Sequence, residues 1–348
     1  MDILKNISLK SYNTFGIDAK TAYFTELSDE KELPLLLNWI EKNNLPYYIL
    51  SGGSNVLFVD DFPGIIIHVN TKGIKKIDET EGHVFIQAKA GENWEDFVEL
   101  CLKNSWGGIE NLTLIPGNVG TSPMQNIGAY GVEIKDSFHE LQAMELQTGE
   151  IKTFSKKQCN FGYRDSYFKN EGRNKYIILS VSFKLTKRNH ALNITYGTII
   201  QELDKKKITQ PGLYDVANAI RAIRRSKLPD PDQLGNAGSF FKNPLITQEH
   251  YNALKSEYPE IPGFPDESGK VKTAAAWFID KAGWKGFRDG DAGVHKNQAL
   301  VLVNYGNASG IDIIALSDKI QKSVKELFDI NLEKEVNIVK PFNNRDLL

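Results

Sequence analysis

The chain has 348 residues, 41% of them hydrophobic and 25% charged, and its 42 basic and 44 acidic residues nearly cancel. That length exceeds what one core usually supports, so two or three packed domains are expected, and no basic tail or charge run offers a footprint for nucleic acid. Cys101 and Cys159 alone make neither a disulfide framework nor a metal site, no histidine falls in a pattern such as HExxH, and no apolar run reaches about 18 residues, so no metal, membrane span or signal peptide is expected and the cytoplasm is the natural compartment.

In chain order, "DEKELPLLLNWIEKNN" spaces Leu33, Leu36, Leu37 and Ile40 at helical intervals, with Pro34 fitting only near the start. "YYIL" (47–50), "GIIIHVN" (64–70) and "HVFIQAKAG" (83–91) read as strands. "WEDFVELCLKNSW" puts Trp94, Phe97, Val98 and Cys101 on one helical face, and Gly107 stops it. "AMELQTGEIKTF" (143–154) is a hairpin turning at Thr148-Gly149, and "YIILSVSFKL" (176–185) is a strand. "LYDVANAIRAIRRSKLPDP" is a helix ended by Pro229, and "TAAAWFIDKAG" a helix ended by Gly283. "ALVLVNYG" is a strand, "DIIALSDKIQKSVKELF" an amphipathic helix, and "NLEKEVNIV" a last strand. Period-2 alternation sets Val336 and Ile338 on one face of that strand and Glu333, Glu335 and Asn337 on the other. Without a regular βαβα order the fold class is α+β in several domains. The best linkers are 186–212 and "KLPDPDQLGNAG".

Two loops are rich in glycine. "LSGGSNVLF" follows a strand, and its glycines can aim successive N–H groups at an anion, with Ser51, Ser54 and Asn55 as further donors. An ordinary strand-to-loop turn has the same chemistry. It lacks the Gly-Lys-Ser/Thr ending of a Walker loop, and no helix pattern follows as GxGxxG would need. The second, "IPGNVGTSPMQNIGAYG" (115–131), mixes glycines with Thr121, Ser122, Gln125, Asn126 and Tyr130, which suits a polar ligand with a ring. Loops of that length are usually functional or disordered. Two such loops favour a large phosphorylated cofactor over a single ion. In "GNAGSFFKNP" (235–244), Ser239 is a nucleophile, a phosphate ligand, a proton donor or a small turn residue. No Ser-His pattern or GxSxG surrounds it, which argues against the nucleophile.

"NTFG", "SGGSNVLF", "IPGNVGTSPMQNIGAYGVE", "FGYRDS", "KLPDP", "GNAGSFFKNP" and "LEKEV" occur in that order from residue 13 to 336. The set resembles the UDP-N-acetylenolpyruvoylglucosamine reductases, over almost the whole chain. The resemblance implies an FAD-binding fold of the p-cresol methylhydroxylase and vanillyl-alcohol oxidase type in two subdomains, with a C-terminal α+β substrate domain. Their expected extents are 1–70 with the C-terminal strand 336–348, then 71–212, then 213–335. It implies FAD, NADPH as electron donor and a UDP-sugar substrate. His68 follows an apolar strand and reads as structural, so the FAD is expected to be noncovalent, and a monomer is expected. The resemblance carries Ser239 over as proton donor, with Arg164 and Glu335 as catalytic partners. Tyr163, Tyr196, Lys227, Asn243 and Gln298 are carried over to the substrate. Ser51, Gly52, Gly53, Ser54, Asn55, Gly117, Thr121, Ser122, Gln125, Asn126, Gly128, Tyr130 and Arg224 are carried over to the cofactor. "TYG" (195–197) looks like the subtype whose tyrosine loop closes on the substrate. One departure is Asn337, where the family often has arginine, which puts a contact of that arginine in doubt. A flavin oxidase of the same fold would not need "FGYRDS" with "GNAGSFFKNP". A nucleotide-sugar-binding protein without catalysis would tolerate loss of Ser239 and Glu335.

Overall fold

In the computed structural model the described residues are 1–266 and 268–341, so the end of the expected C-terminal strand, 342–348, lies outside them. The chain divides into two compact units. Unit 1 comprises Met1–Lys5, Tyr23–Gly52 and Gly64–Ser226; unit 2 comprises Asn6–Ala22, Gly53–Pro63 and the chain from Lys227.

Unit 1 contains two large cores. In the first, the helix Leu33–Lys42 lays Leu33, Leu36 and Ile40 against Ile65, Ile67 and Val69. The strands Tyr47–Leu50 and Phe62–Val69 pair in parallel, Tyr47 opposite Ile65 and Leu50 opposite His68. Parallel strands are usually covered on both faces, which is why "YYIL" and "GIIIHV" read as apolar runs rather than alternations. Their sheet has the strand order Leu4–Ser8, Lys20–Leu27, Phe62–Val69, Tyr47–Leu50.

The second core sits on a five-stranded antiparallel sheet ordered Ile151–Ser155, Phe138–Glu145, Tyr176–Thr186, His83–Lys89, Ile74–Glu79. The expected hairpin is its edge, with Met144 opposite Ile151 and Gly149 at a φ of 72°. The helix Trp94–Lys103 buries Trp94, Phe97, Val98, Cys101 and Leu102. Asn93 accepts the Asp96 N–H at its start, a cap worth about 1 kcal/mol. The long strand feeds both cores, Ile177 and Leu179 into the first and Val181, Phe183 and Leu185 into the second.

The segment 186–212, expected as a linker, contains the helix Gly197–Lys205. Its Ile199 and Leu203 pack with Val216, Ala219, Ile220 and Ile223 of the helix Leu213–Lys227. Two buried residues one turn apart are too few for periodicity to reveal. The helix Leu213–Lys227, which the sequence set at the head of the substrate domain, thus packs in unit 1 as far as Ser226.

In unit 2, "GNAGS", part of which was also expected as a linker, is a strand. It edges a four-stranded antiparallel sheet ordered Gly235–Ser239, Val301–Asn304, Ala292–Val294, Arg288–Asp289. Glycine is tolerated because another backbone runs close: a Cβ on Gly235 would lie 2.3 Å from the Phe15 carbonyl oxygen. The helix Gly310–Phe328 starts in a capping box of Ser309 and Asp312 and buries Ile313, Leu316, Ile320 and Val324. The last strand is shorter than its alternation suggested. Only Asn337–Val339 pairs as a strand, parallel to Val56–Phe58, and there Val336 and Val339 are buried while Ile338 is half-buried.

Candidate active site

The first glycine loop leaves the strand Tyr47–Leu50, and Ser51 and Gly52 belong to unit 1. A Cβ on Gly52 would lie 2.7 Å from the Gly117 Cα and 3.1 Å from Asn118 Oδ1, so the two glycine loops touch there without side chains between them. Gly117 itself has a φ of 116°, which only glycine adopts freely. The Ser51 hydroxyl is buried without a hydrogen-bond partner among the described residues.

The second loop is folded against its own polar groups. Asn126 is fully buried. Its amide donates to Glu133 Oε2 and to the Gly162 carbonyl, both at 3.0 Å, and its oxygen accepts the Lys135 N–H. The Ser122 hydroxyl donates to the Val119 carbonyl at 2.6 Å, and the exposed Thr121 hydroxyl donates to the Asn118 carbonyl at 2.8 Å. These three side chains are occupied in shaping the loop, and Gln125 beside them is half-buried.

"FGYRDS" is stitched to that loop. Besides the Asn126 bond to Gly162, the Ser166 hydroxyl donates to the Met124 carbonyl at 2.7 Å, and Arg164 Nη2 donates to the Gly128 carbonyl at 2.8 Å. A Cβ on Gly128 would lie 3.2 Å from Arg164 Nη1, so that glycine gives the guanidinium its approach. Arg164 has a φ of 53°, unusual for arginine, and its guanidinium lies over the Tyr163 ring at 5.7 Å.

Arg224, on the helix Leu213–Lys227, is half-buried, and its Nε is closed off without a hydrogen-bond partner among the described residues. Burial pushes its pKa down, opposed by Tyr130 and Glu95. Burial raises the Tyr130 hydroxyl, with Arg224 offsetting part of that. Tyr130 meets the ring of Tyr196 edge to face at 5.6 Å, and Tyr196 is 51% exposed. Sequence reasoning missed Asn111 and Asn193. Asn111 Nδ2 donates to the carbonyls of Tyr130 and Asn193, and Asn193 Nδ2 to that of Gly131, so they tie the "TYG" segment to the second loop. Only their place beside marked motifs could have pointed to them.

Unit 2 carries the other residues. Ser239 pairs with Val301, and Asn236 with Val303, so three steps on one strand match two on the other. This bulge, with Gly238 at a φ of 68°, sets the backbone of a half-buried Ser239, whose hydroxyl makes no hydrogen bond among the described residues. Directly after it, 240–242 pairs with 333–335: the Glu335 N–H donates to the Phe240 carbonyl at 2.8 Å and the Lys242 N–H to the Glu333 carbonyl at 2.9 Å. Ser239 and Glu335 therefore lie on paired segments.

The far end of the first glycine loop joins the same structure. Asn55 Nδ2 donates to the Glu335 carbonyl at 3.4 Å, and the N–H and Nδ2 of Asn337 both donate to the Asn55 carbonyl, at 3.1 and 2.9 Å. Thr14 of "NTFG" bridges Gly53 and Asn236, donating its N–H to one carbonyl and accepting the N–H of the other. A Cβ on Gly53 would fall 2.0 Å from the Tyr12 carbonyl oxygen. Ser54 is half-buried in the same turn. Asn243 caps the helix Ala275–Lys281, its Oδ1 accepting the Ala275 N–H at 3.0 Å. Gln298 closes the turn into the strand Val301–Asn304, its carbonyl accepting the Val301 N–H. Lys227 is exposed.

These residues fit a large anionic cofactor. Crossing glycines bare two backbones in unit 1, and Ser51 Oγ and Arg224 Nε are buried polar atoms without a partner among the described residues, left for an outside one. No group of three or more metal-ligating side chains occurs among the described residues, and none of their helices is long and apolar enough to cross a membrane.

Residues 21–155 match the family of FAD binding domains, and residues 230–339 match the C-terminal domain of UDP-N-acetylenolpyruvoylglucosamine reductase. A flavin-binding domain joined to a reductase domain defines the chain as a flavoprotein oxidoreductase. It is 51% identical to the UDP-N-acetylenolpyruvoylglucosamine reductase of Flavobacterium johnsoniae, over 97% of this chain and 100% of that one. It is 48% identical to that of Chromobacterium violaceum, over 95% and 97%. The crystal structure of the Thermus caldophilus reductase superposes with a TM-score of 0.66 at 24% identity, covering 97% of this chain and 99% of that one, which shows a common fold. The chain belongs to the UDP-N-acetylenolpyruvoylglucosamine reductase family.

Proposed function

We propose that the chain reduces UDP-N-acetylglucosamine enolpyruvate to UDP-N-acetylmuramate with electrons from NADPH, a step in making peptidoglycan precursors. The observation that carries the residue roles is the pairing of 240–242 with 333–335, which keeps Ser239 and Glu335 on neighbouring segments. FAD, when bound, would supply the hydride, with NADPH as the source of electrons. Ser51, Gly52, Gly53, Ser54, Asn55, Gly117, Gln125, Gly128, Tyr130 and Arg224 would hold the FAD, and Thr121, Ser122 and Asn126 would contribute through the loop shape they maintain.

Hydride addition to the enolpyruvyl double bond leaves negative charge on the adjacent carbon, delocalised into the carboxylate. Arg164 binds that carboxylate, since its guanidinium is a bidentate donor that keeps its charge. The Ser239 hydroxyl gives its proton to the carbon. Serine is a weak acid, so the enolate must be strongly basic and the hydroxyl well placed. Glu335 orients that proton and returns one to Ser239. Lys227 pairs with an anionic part of the substrate, Tyr196 closes over it beside Tyr163, and Asn243 and Gln298 bond its polar groups. On this reading 1–70 with the last strand Asn337–Val339, 71–212 and the helix Leu213–Lys227 that carries Arg224 serve FAD, and the rest of 213–335 serves the substrate, in a cytoplasmic monomer.

The test is two half-reactions under anaerobic conditions. NADPH bleaches the flavin, and UDP-N-acetylglucosamine enolpyruvate restores its absorbance. Flavin that stays bleached after the enolpyruvyl substrate is added overturns the proposal.

A further inference from the structure

We infer that Glu95 is a positioning residue for the cofactor-binding face of unit 1, fixing both the entry to the second glycine loop and the helix that bears Arg224. The inference rests on the flavin reading given above. Leu114, just ahead of "IPGNVG", has a φ of 55°, a region that favours glycine and is costly for leucine. The Glu95 carboxylate accepts the Leu114 N–H, and both its oxygens lie within 3.0 Å of the Thr113 hydroxyl. On its other side it accepts Arg221 Nε at 3.0 Å and Nη2 at 2.7 Å. Arg221 Nη2 also donates to Glu99 at 2.8 Å. The pair is sheltered, with the Arg221 side chain 13% exposed and that of Glu95 26%.

Arg224 follows Arg221 by three residues, which sets the two on neighbouring positions of one helix face. One carboxylate thus holds a strained backbone turn and the helix carrying Arg224, whose Nε has no hydrogen-bond partner among the described residues. The neighbouring Trp94 grips the same loop, its Nε1 donating to the Leu112 carbonyl at 2.8 Å and its N–H to the Gly117 carbonyl at 3.0 Å. An acidic residue in the first turn of a helix is ordinary, because it faces the positive end of the helix dipole. Here the carboxylate is bonded away from its own helix, to a turn and to a second helix.

FAD binding to the stripped protein, read by flavin fluorescence, tests this. Wild type should bind. Glu95→Gln keeps the shape but loses the charge, and should raise the FAD dissociation constant about ten-fold, the value of one charge-assisted hydrogen bond. Glu95→Ala should raise it further. Leu114→Gly in the Glu95→Ala background should recover much of the loss, because glycine adopts that φ without help; a merely stabilising carboxylate would not be rescued so. Hydrogen exchange at the Leu114 amide should quicken in Glu95→Gln without any cofactor. A folded Glu95→Gln protein with a dissociation constant within about two-fold of a binding wild type, well short of one charge-assisted bond, overturns the role. So does a Leu114→Gly change that restores nothing. A wild type that binds no FAD overturns the flavin reading itself.

Discussion

Ser239 is small, half-buried and free of hydrogen bonds among the described residues, sitting after a glycine with left-handed backbone. A serine kept only for a turn would lose little on becoming alanine. A proton donor would lose one half of the reaction. Ser239→Ala should leave flavin reduction by NADPH near the wild-type rate and slow reoxidation by the enolpyruvyl substrate at least about a hundred-fold, the lower range for a lost general acid. Stopped-flow absorbance separates the two, and near-normal reoxidation removes Ser239 from the role. Asn337 makes a smaller case. The structure gives it work that the sequence could not assign, a second donor on the Asn55 carbonyl. That bond is exposed, so Asn337→Ala should cost no more than about 1 kcal/mol in a urea titration. A larger loss would mean that the segment 335–337 depends on this one side chain.

Helices and central strands were legible where burial left a periodic trace. The stripe Trp94, Phe97, Val98, Cys101 is the buried face of Trp94–Lys103, and "YIILSVSF" is the strand that feeds two cores. The helix Gly197–Lys205, with two buried apolar residues, and the glycine-rich strand Gly235–Ser239 left no such trace. They are held by neighbours distant in sequence, Val216 and Ile220 in one case and Phe15 in the other. The cysteines of the second core make a prediction at this scale. Burial pushes the Cys159 thiol from its ordinary 9.0 up to about 12 and raises Cys101 as well. Above pH 9 the unfolded chain releases these protons while the folded one keeps them. Stability should therefore fall with rising pH, by at most about 1.4 kcal/mol per unit for each thiol. Urea unfolding between pH 8.5 and about 10.5, the span from the ordinary thiol pKa upward, should show the decline, and the slope should flatten when both cysteines become alanine. An unchanged slope would place it in other groups, Tyr48 among them, whose buried hydroxyl is pushed up to about 12.

Across the whole molecule, the class of site was legible and its construction was not. Seven ordered motifs pointed to flavin and an enolpyruvyl substrate, whereas the roles of Thr14, Glu95, Asn111 and Asn193 depend on which backbones meet, and spacing along the chain does not encode that. The motifs nevertheless make one claim on the thermodynamics of the molecule. If the glycine loops form a cradle for FAD, ligand binding must stabilise the fold by mass action. At a free FAD concentration about 100 times the dissociation constant the gain is about 2.7 kcal/mol. For a chain of this length that is a rise of about 4 °C in Tm, and each further decade of FAD should add about half as much. Circular dichroism melts at graded FAD check both the size and the logarithmic growth. Gly52→Val is the control, because a side chain there would strike Gly117 at 2.7 Å and separate the two loops. It should fold and lose the shift. A protein whose Tm is indifferent to FAD over a hundred-fold range has no such cradle, and the buried Ser51 hydroxyl and Arg224 Nε would need another partner.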